Sequence, residues 1–420
     1  MRYRTTPALW RRHWIPPLAL LYAQLAHGFS WLLLLWIAWS GNLASALYGF
    51  AWIHTIALAW ITMAALAILI HALPNFIDVE WRGESAARWS IAGYGAGVAL
   101  LIFGFLGNSN LLPAAGTLVL ASLLVYLTVA FATMGSAMRG ERVQRAVARA
   151  FGGTFVFLLA TAVIGSGLAW MLSGHAVPAF LFRLPAAHAN LGTLGWLSLL
   201  IFGVSMRTLR PITGQVSNYR WIHIVAGSLS VIGVPLLAAG TATNLSSLEY
   251  AGAALFALAV LAYAFDTLDR VRRATNPHRP PQAFIVAGVL WFLIALAIGA
   301  GVLLGKPWQQ TYGFVLLIGW VGQFVNAHLY HIGIRLLATV YRGEEDETRP
   351  QELLETRLSW YSFFAFQVAI AAVAYALLKN DPSLVARGAI FGITAWIAMV
   401  VNVLAARTRA KILPKTIVLR

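Results

Sequence analysis

Twelve apolar runs, each about the 20 residues a helix needs to cross the hydrocarbon core, constrain this chain more than any other feature. They lie at roughly 17–39, 43–73, 88–107, 111–136, 147–173, 180–206, 220–242, 248–268, 282–305, 311–340, 358–378 and 385–406. In lipid a single segment satisfies its own backbone hydrogen bonds only as a helix. The pattern predicts an all-α polytopic membrane protein, with one transmembrane domain over residues 1–420. Turns rich in Gly, Asn and Pro at 40–42, 107–110 and 276–281 separate the runs.

Thirty Lys and Arg against 14 Asp and Glu give a formal net charge of +16. Such an excess would suit a nucleic-acid binder, but these charges sit in short loops between apolar runs and form no groove. One side collects the N-terminal arginines, Arg82, Arg139, Arg145, Arg207, Arg270, Arg342 and the C-terminal Arg407, Arg409, Lys411 and Lys415. The other side has Arg183, Lys306, Lys379 and Arg387. Basic loops stay in the cytoplasm, so both termini are expected there. The first run continues as a full span with no small-residue cleavage site, which argues against a cleaved signal peptide. The loop 341–359, with Glu344 to Glu347, reads as a solvated surface helix. There are no cysteines, so disulfides, iron–sulfur clusters and thiolate-held metals are excluded.

Histidines within the runs carry the chemistry, because an ionisable group at membrane depth is costly and usually faces the bundle interior. His328 and His331, three residues apart in the tenth run, leave the same face of a helix. His54, His188 and His328 return at separations of 134 and 140 residues, one in each of the second, sixth and tenth runs. Local wording returns as well: His54 is followed by Trp60-x-Thr62 and a proline at Pro74, and His188 by Trp196-x-Ser198 and Pro211. Three four-helix arcs, each offering one histidine inward, would suit a flat cofactor held between helices. Two alternatives stay open. One is a conduit with an outer haem and an inner haem on His71 and His223. The other is a cofactor-free twelve-helix transporter whose histidines bind substrate or couple protons. His27, alone in the first run, reads as a buried histidine hydrogen-bonded to a neighbour.

The twelve runs and the histidines of runs two, six and ten resemble subunit I of the heme-copper oxidase superfamily. Trp52-x-His54 with Ala72-Leu73-Pro74-Asn75-Phe76, and His188 with Gly195, are similar to its shorter NnrS-type relatives. Ala327-His328-x-x-His331 is similar to the superfamily's tenth helix, and Phe182-Arg183-Leu184-Pro185 to its approach to the sixth. The resemblance implies a bacterial inner-membrane protein with at least one haem b, used in electron transfer or small-gas chemistry, nitric oxide included. It implies oxidoreductase-like activity, a cytochrome or cupredoxin electron donor and a partner subunit. Carried over, it makes His54, His188, His328 and His331 cofactor and metal ligands. His54 then pairs first with His331, and His328 with His188, while the reverse use of the tenth-helix histidines stays open. Arg183 and Lys306 would meet anionic propionates.

The chain departs from that pattern where the superfamily has copper ligands. The outer end of the seventh run reads Pro235-Leu-Leu-Ala-Ala-Gly-Thr-Ala242, which argues against copper. The runs also hold almost no carboxylate, Asp266 being the clearest, which argues against a proton pump.

Overall fold

The computed structural model describes residues 14–343 and 350–412. Among them there is no strand, and twelve helices are long and apolar enough to cross a membrane. The chain is an all-helical multi-pass membrane protein. The helices are α1 (Ile15–Trp39), α2 (Ala46–Ile77), α3 (Glu84–Leu106), α4 (Ser109–Ala137), α5 (Arg142–Leu172), α6 (Pro185–Thr213), α7 (Arg220–Thr243), α8 (Ser246–Arg272), α9 (Pro280–Leu303), α10 (Gln309–Arg342), α11 (Thr356–Lys379) and α12 (Pro382–Ile412). Short turns join successive helices, which alternate in direction. Arg82, Arg139, Arg207, Arg273 and Arg342 thus meet at one end of the bundle, called the basic end below.

Most boundaries fall within a few residues of the apolar runs, and the exceptions have local causes. The sixth run was expected to start near 180. Instead Ala179–Arg183 is a separate 3₁₀ turn and α6 begins at Pro185, whose missing N–H costs nothing at a helix start. At its other end α6 continues to Thr213, with Pro211 in the last turn. Helix α2 likewise runs through Pro74 to Ile77. Proline there cannot donate to the carbonyl of Ile70, and the indole of Trp81 donates to that oxygen instead, at 2.6 Å. Residues 344–347 lie outside the described residues. Residues 348 and 349 lie outside them as well, and of the loop expected as a solvated helix Pro350–Leu353 is a 3₁₀ turn, with Leu353 and the following Leu354 buried. Asn402 pins the following backbone, accepting from Glu355 N–H at 2.8 Å and donating to its carbonyl at 3.0 Å.

Helices α2, α6 and α10 form the centre: 72, 61 and 78% of their most apolar stretches are buried, more than in the other nine spans. Each carries an eight-residue π-helical segment: Thr55–Thr62, Leu191–Ser198 and Val315–Gly322. All three segments start five residues before a buried tryptophan and end two after it, at Trp60, Trp196 and Trp320. A π segment widens the helix and re-aims side chains, and here the re-aimed indoles link one helix to the next. The Trp196 indole donates to Thr62 Oγ1 at 2.9 Å, and the Trp320 indole to Ser198 Oγ at 3.1 Å. On the third side the equivalent residue is Gly322. The Trp60 ring packs there so closely that a Cβ would lie 3.1 Å from it. The Trp-x-Thr/Ser wording is therefore a contact repeated around the bundle centre. The histidine repeat is only half of one: measured from these tryptophans, His54 and His188 lie six and eight residues before, whereas His328 lies eight after.

Candidate functional site

His54 and His188 enter α2 and α6 at the end of the bundle opposite the basic end, and the structure brings them together. Their ring centroids are 6.3 Å apart with planes inclined by 20°. Ring pairs elsewhere in the bundle range from His27 on Trp60 at 3.6 Å and 4° to Phe324 against His328 at 6.2 Å and 29°, so the spacing alone is within the range of ring packing. The same spacing would also admit one metal ion between the two imidazoles. A first-row metal sits about 2.0–2.1 Å from an imidazole nitrogen, itself about 1.1 Å from its ring centroid, so two imidazoles across one metal have centroids about 6.3 Å apart.

Both rings are oriented in the way ligand histidines require, with one nitrogen tied and the other left over. His54 Nδ1 pairs with the Phe50 carbonyl one turn back at 2.7 Å. His188 Nδ1 pairs with the Thr161 carbonyl of α5 at 3.1 Å. A carbonyl only accepts, so Nδ1 carries the proton in each ring and Nε2 keeps its lone pair. Two tight contacts hold the rings. Phe105 of α3 lies 5.0 Å from the His54 ring. On α5, a Cβ added at Gly165 would stand 2.8 Å from His188 Cε1, so only glycine leaves the imidazole its place.

Among the described residues no group of three His, Asp or Glu side chains is arranged for a metal. Two imidazoles alone leave zinc or copper short of its usual ligands. They suffice for haem iron, whose remaining four ligands come from the porphyrin. The donor set, two neutral imidazoles, would suit a haem, with His54 and His188 holding it, better than a bare metal.

The tenth helix does not join this pair. Gly322, at the level of Trp60, lies nine residues before His331, and His54 lies six before Trp60. Helical rise therefore separates His54 from His331 by about 20 Å. The pairing expected first is overturned by this separation, and His188 with His328 fails on the same ground. His328 is instead satisfied by protein. Its Nδ1 pairs with the Phe324 carbonyl at 2.7 Å and its Nε2 with Thr208 Oγ1 of α6 at 2.9 Å. It is the one polar side chain lining an otherwise apolar pocket of about 90 Å³ between α2, α6 and α10. His331 is buried on the same helix, near His328, His278 and Arg335.

The inner pair imagined on His71 and His223 is likewise not formed. His71 pairs with Asn75 one turn on. His223 belongs to a buried ion cluster, with Asp266 Oδ2 3.0 Å from its Nε2 and 2.8 Å from Arg270. Asp266 also accepts from Ser217. That cluster neutralises the one deeply buried carboxylate of α8; the i, i+4 spacing of Asp266 and Arg270 is legible in the sequence, whereas the approach of His223 and Ser217 is not. Arg183 is exposed in the 3₁₀ turn five residues before His188, and Lys306 is exposed in the turn after α9. No ion pair is recorded for either among the described residues. Thr208, Thr161 and Gly165 were not anticipated, since each acts through a helix remote in sequence. Comparison with protein-family models and with curated proteins finds no match to this chain.

Proposed function

We propose that this protein binds one b-type haem through His54 and His188 and transfers electrons in a membrane. The observation that carries the reading is the imidazole pair at 6.3 Å with both Nδ1 atoms committed to carbonyls. When bound, the group supplies a one-electron couple. The chain supplies two neutral imidazoles of fixed tautomer and an apolar wall at Phe105. Were both His54 and His188 to hold the group, the chain would leave no ligand position for a gas, so electron transfer is favoured over chemistry on nitric oxide or oxygen. Exposed Arg183, one turn ahead of His188, is the cation we assign to a propionate.

The same reading places the chain near subunit I of the heme-copper oxidases and its NnrS-type relatives, in a bacterial inner membrane. Its helices form three arcs of four with both termini cytoplasmic, and a soluble cytochrome or cupredoxin serves as electron donor. The test is an oxidised and dithionite-reduced absorption spectrum of the purified protein, with iron analysis on the same sample. A Soret band with split reduced α and β bands and one iron per chain is expected. Protein purified after haem-replete expression with no Soret band, or a band that survives both His54→Ala and His188→Ala, overturns the proposal.

A further inference from the structure

The α1 residues Gln24, His27 and Trp31 are spaced by three and four, which sets them on one helix face. Gln24 Oε1, both nitrogens of His27 and the Trp31 indole are buried with no hydrogen-bond partner among the described residues. His27 was expected to bond a neighbour, and it is only 1% exposed. Its ring lies flat on Trp60, whose indole N–H is also unpartnered. On α10 a second stripe, Gly322, Asn326 and Tyr330, is spaced by four. Gly322 meets Trp60, and Asn326 Oδ1 is again buried without a partner among the described residues. Toward the basic end the buried Tyr330 hydroxyl is within hydrogen-bonding reach of Ser362, Asn402 and Ser359, which carry the polar line on from Asn326. Asn402 donates to Ser359 Oγ at 2.9 Å and to the Glu355 carbonyl at 3.0 Å. Glu355 is exposed enough to reach water, 3.1 Å from Arg409.

Buried polar atoms without partners are uncommon in native proteins, and each asks for a missing partner. These lie on two stripes joined through Trp60. Their chemistry narrows the choice: indole N–H groups only donate, amide oxygens only accept, and imidazole and phenol do either. An anion would be repelled by the amide oxygens, and a cation by the indole hydrogens. Water satisfies both kinds and is the usual bridge between such groups.

We infer that the interior between α1, α2, α10, α11 and α12 holds a file of water running from Glu355 and Asn402, past Tyr330 and Asn326, to His27 and Trp60 at mid-bundle. Beyond His27 the file ends, because Trp31 closes against Phe366 at 6.0 Å and Phe314 at 6.4 Å. His27 is thereby reached by water, and by the protons water carries, from the basic end alone.

X-ray hydroxyl-radical footprinting of the full-length protein in lipid nanodiscs tests this, since radicals formed in trapped water mark the side chains beside it. Trp196 and Trp320 are as deeply buried as Trp60 but have hydrogen-bond partners, and they serve as dry controls. Trp60 and Trp31 are expected to be labelled several-fold faster than these controls. Asn326→Leu and Tyr330→Phe, which remove two members of the file, are expected to bring the Trp60 rate down to the control rate. Tyr330→Phe takes away only a hydroxyl and keeps the test open if Asn326→Leu fails to fold. Labelling of Trp60 and Trp31 no faster than the controls, or a Trp60 rate unchanged in the folded variants, overturns the inference.

Discussion

His54 and His328 have the same first contact and differ in the second. Each ties Nδ1 to the carbonyl one turn back on its own helix, at 2.7 Å in both cases. At His328 the other nitrogen meets Thr208 Oγ1 at 2.9 Å. At His54 no such partner is present among the described residues, and His188 stands with its ring centroid 6.3 Å away. A histidine's own helix orients the ring, then, while a neighbouring helix decides whether the ring closes a hydrogen bond or presents a lone pair. Depth in the membrane does not distinguish the two.

The largest effect should come from the pair itself. His54→Ala or His188→Ala is expected to abolish haem retention, measured by the pyridine haemochrome spectrum, while His328→Ala keeps it. Haem lost only in His328→Ala would reverse the comparison. Next comes Gly165→Val, which drives side-chain atoms into the space of His188 Cε1. Folded protein with a clearly reduced haem-to-protein ratio is expected, and a ratio equal to wild type would mean the ring can move and still serve.

Thr208→Val sharpens the other half. It leaves His328 Nε2 buried without its partner, at a cost of about 1 kcal/mol. A lower melting temperature with unchanged haem content is expected. The smallest effect belongs to His278, in the turn between α8 and α9. Burial pushes its imidazole down from the ordinary 6.5 to about 4. Between those values the unfolded chain binds a proton that the folded chain refuses, so stability is complete above about pH 6.5 and falls as the pH drops toward 4. His278→Gln should flatten that slope in pH-dependent thermal unfolding and leave the haem spectrum alone.

Much of the fold was legible because lipid allows one local solution. Every apolar run became a helix, and even Pro74 and Pro211 only shifted where helices end. The Trp60-x-Thr62 and Trp196-x-Ser198 steps were also visible, and they mark real contacts. The histidine alignment was misleading beyond its first two members. Counting from His54 to His188 to His328 compares spacings along one dimension, whereas the tryptophans show that the third lies on the other side of the bundle's middle. Of the Asp266 cluster only the i, i+4 partner Arg270 was visible, and the environment of His27 had no sequence signal, because His223 comes from α7 in one case and Trp60 and Phe366 from α2 and α11 in the other.

By itself the sequence determined that the chain has twelve segments long and apolar enough to cross a membrane and that its basic residues gather in alternate loops, since hydrophobic length and loop charge are properties of each segment alone. Only the tertiary structure decided which imidazoles meet. That depends on the rotation and height of one helix against another, set by π segments and indole contacts between residues more than a hundred positions apart.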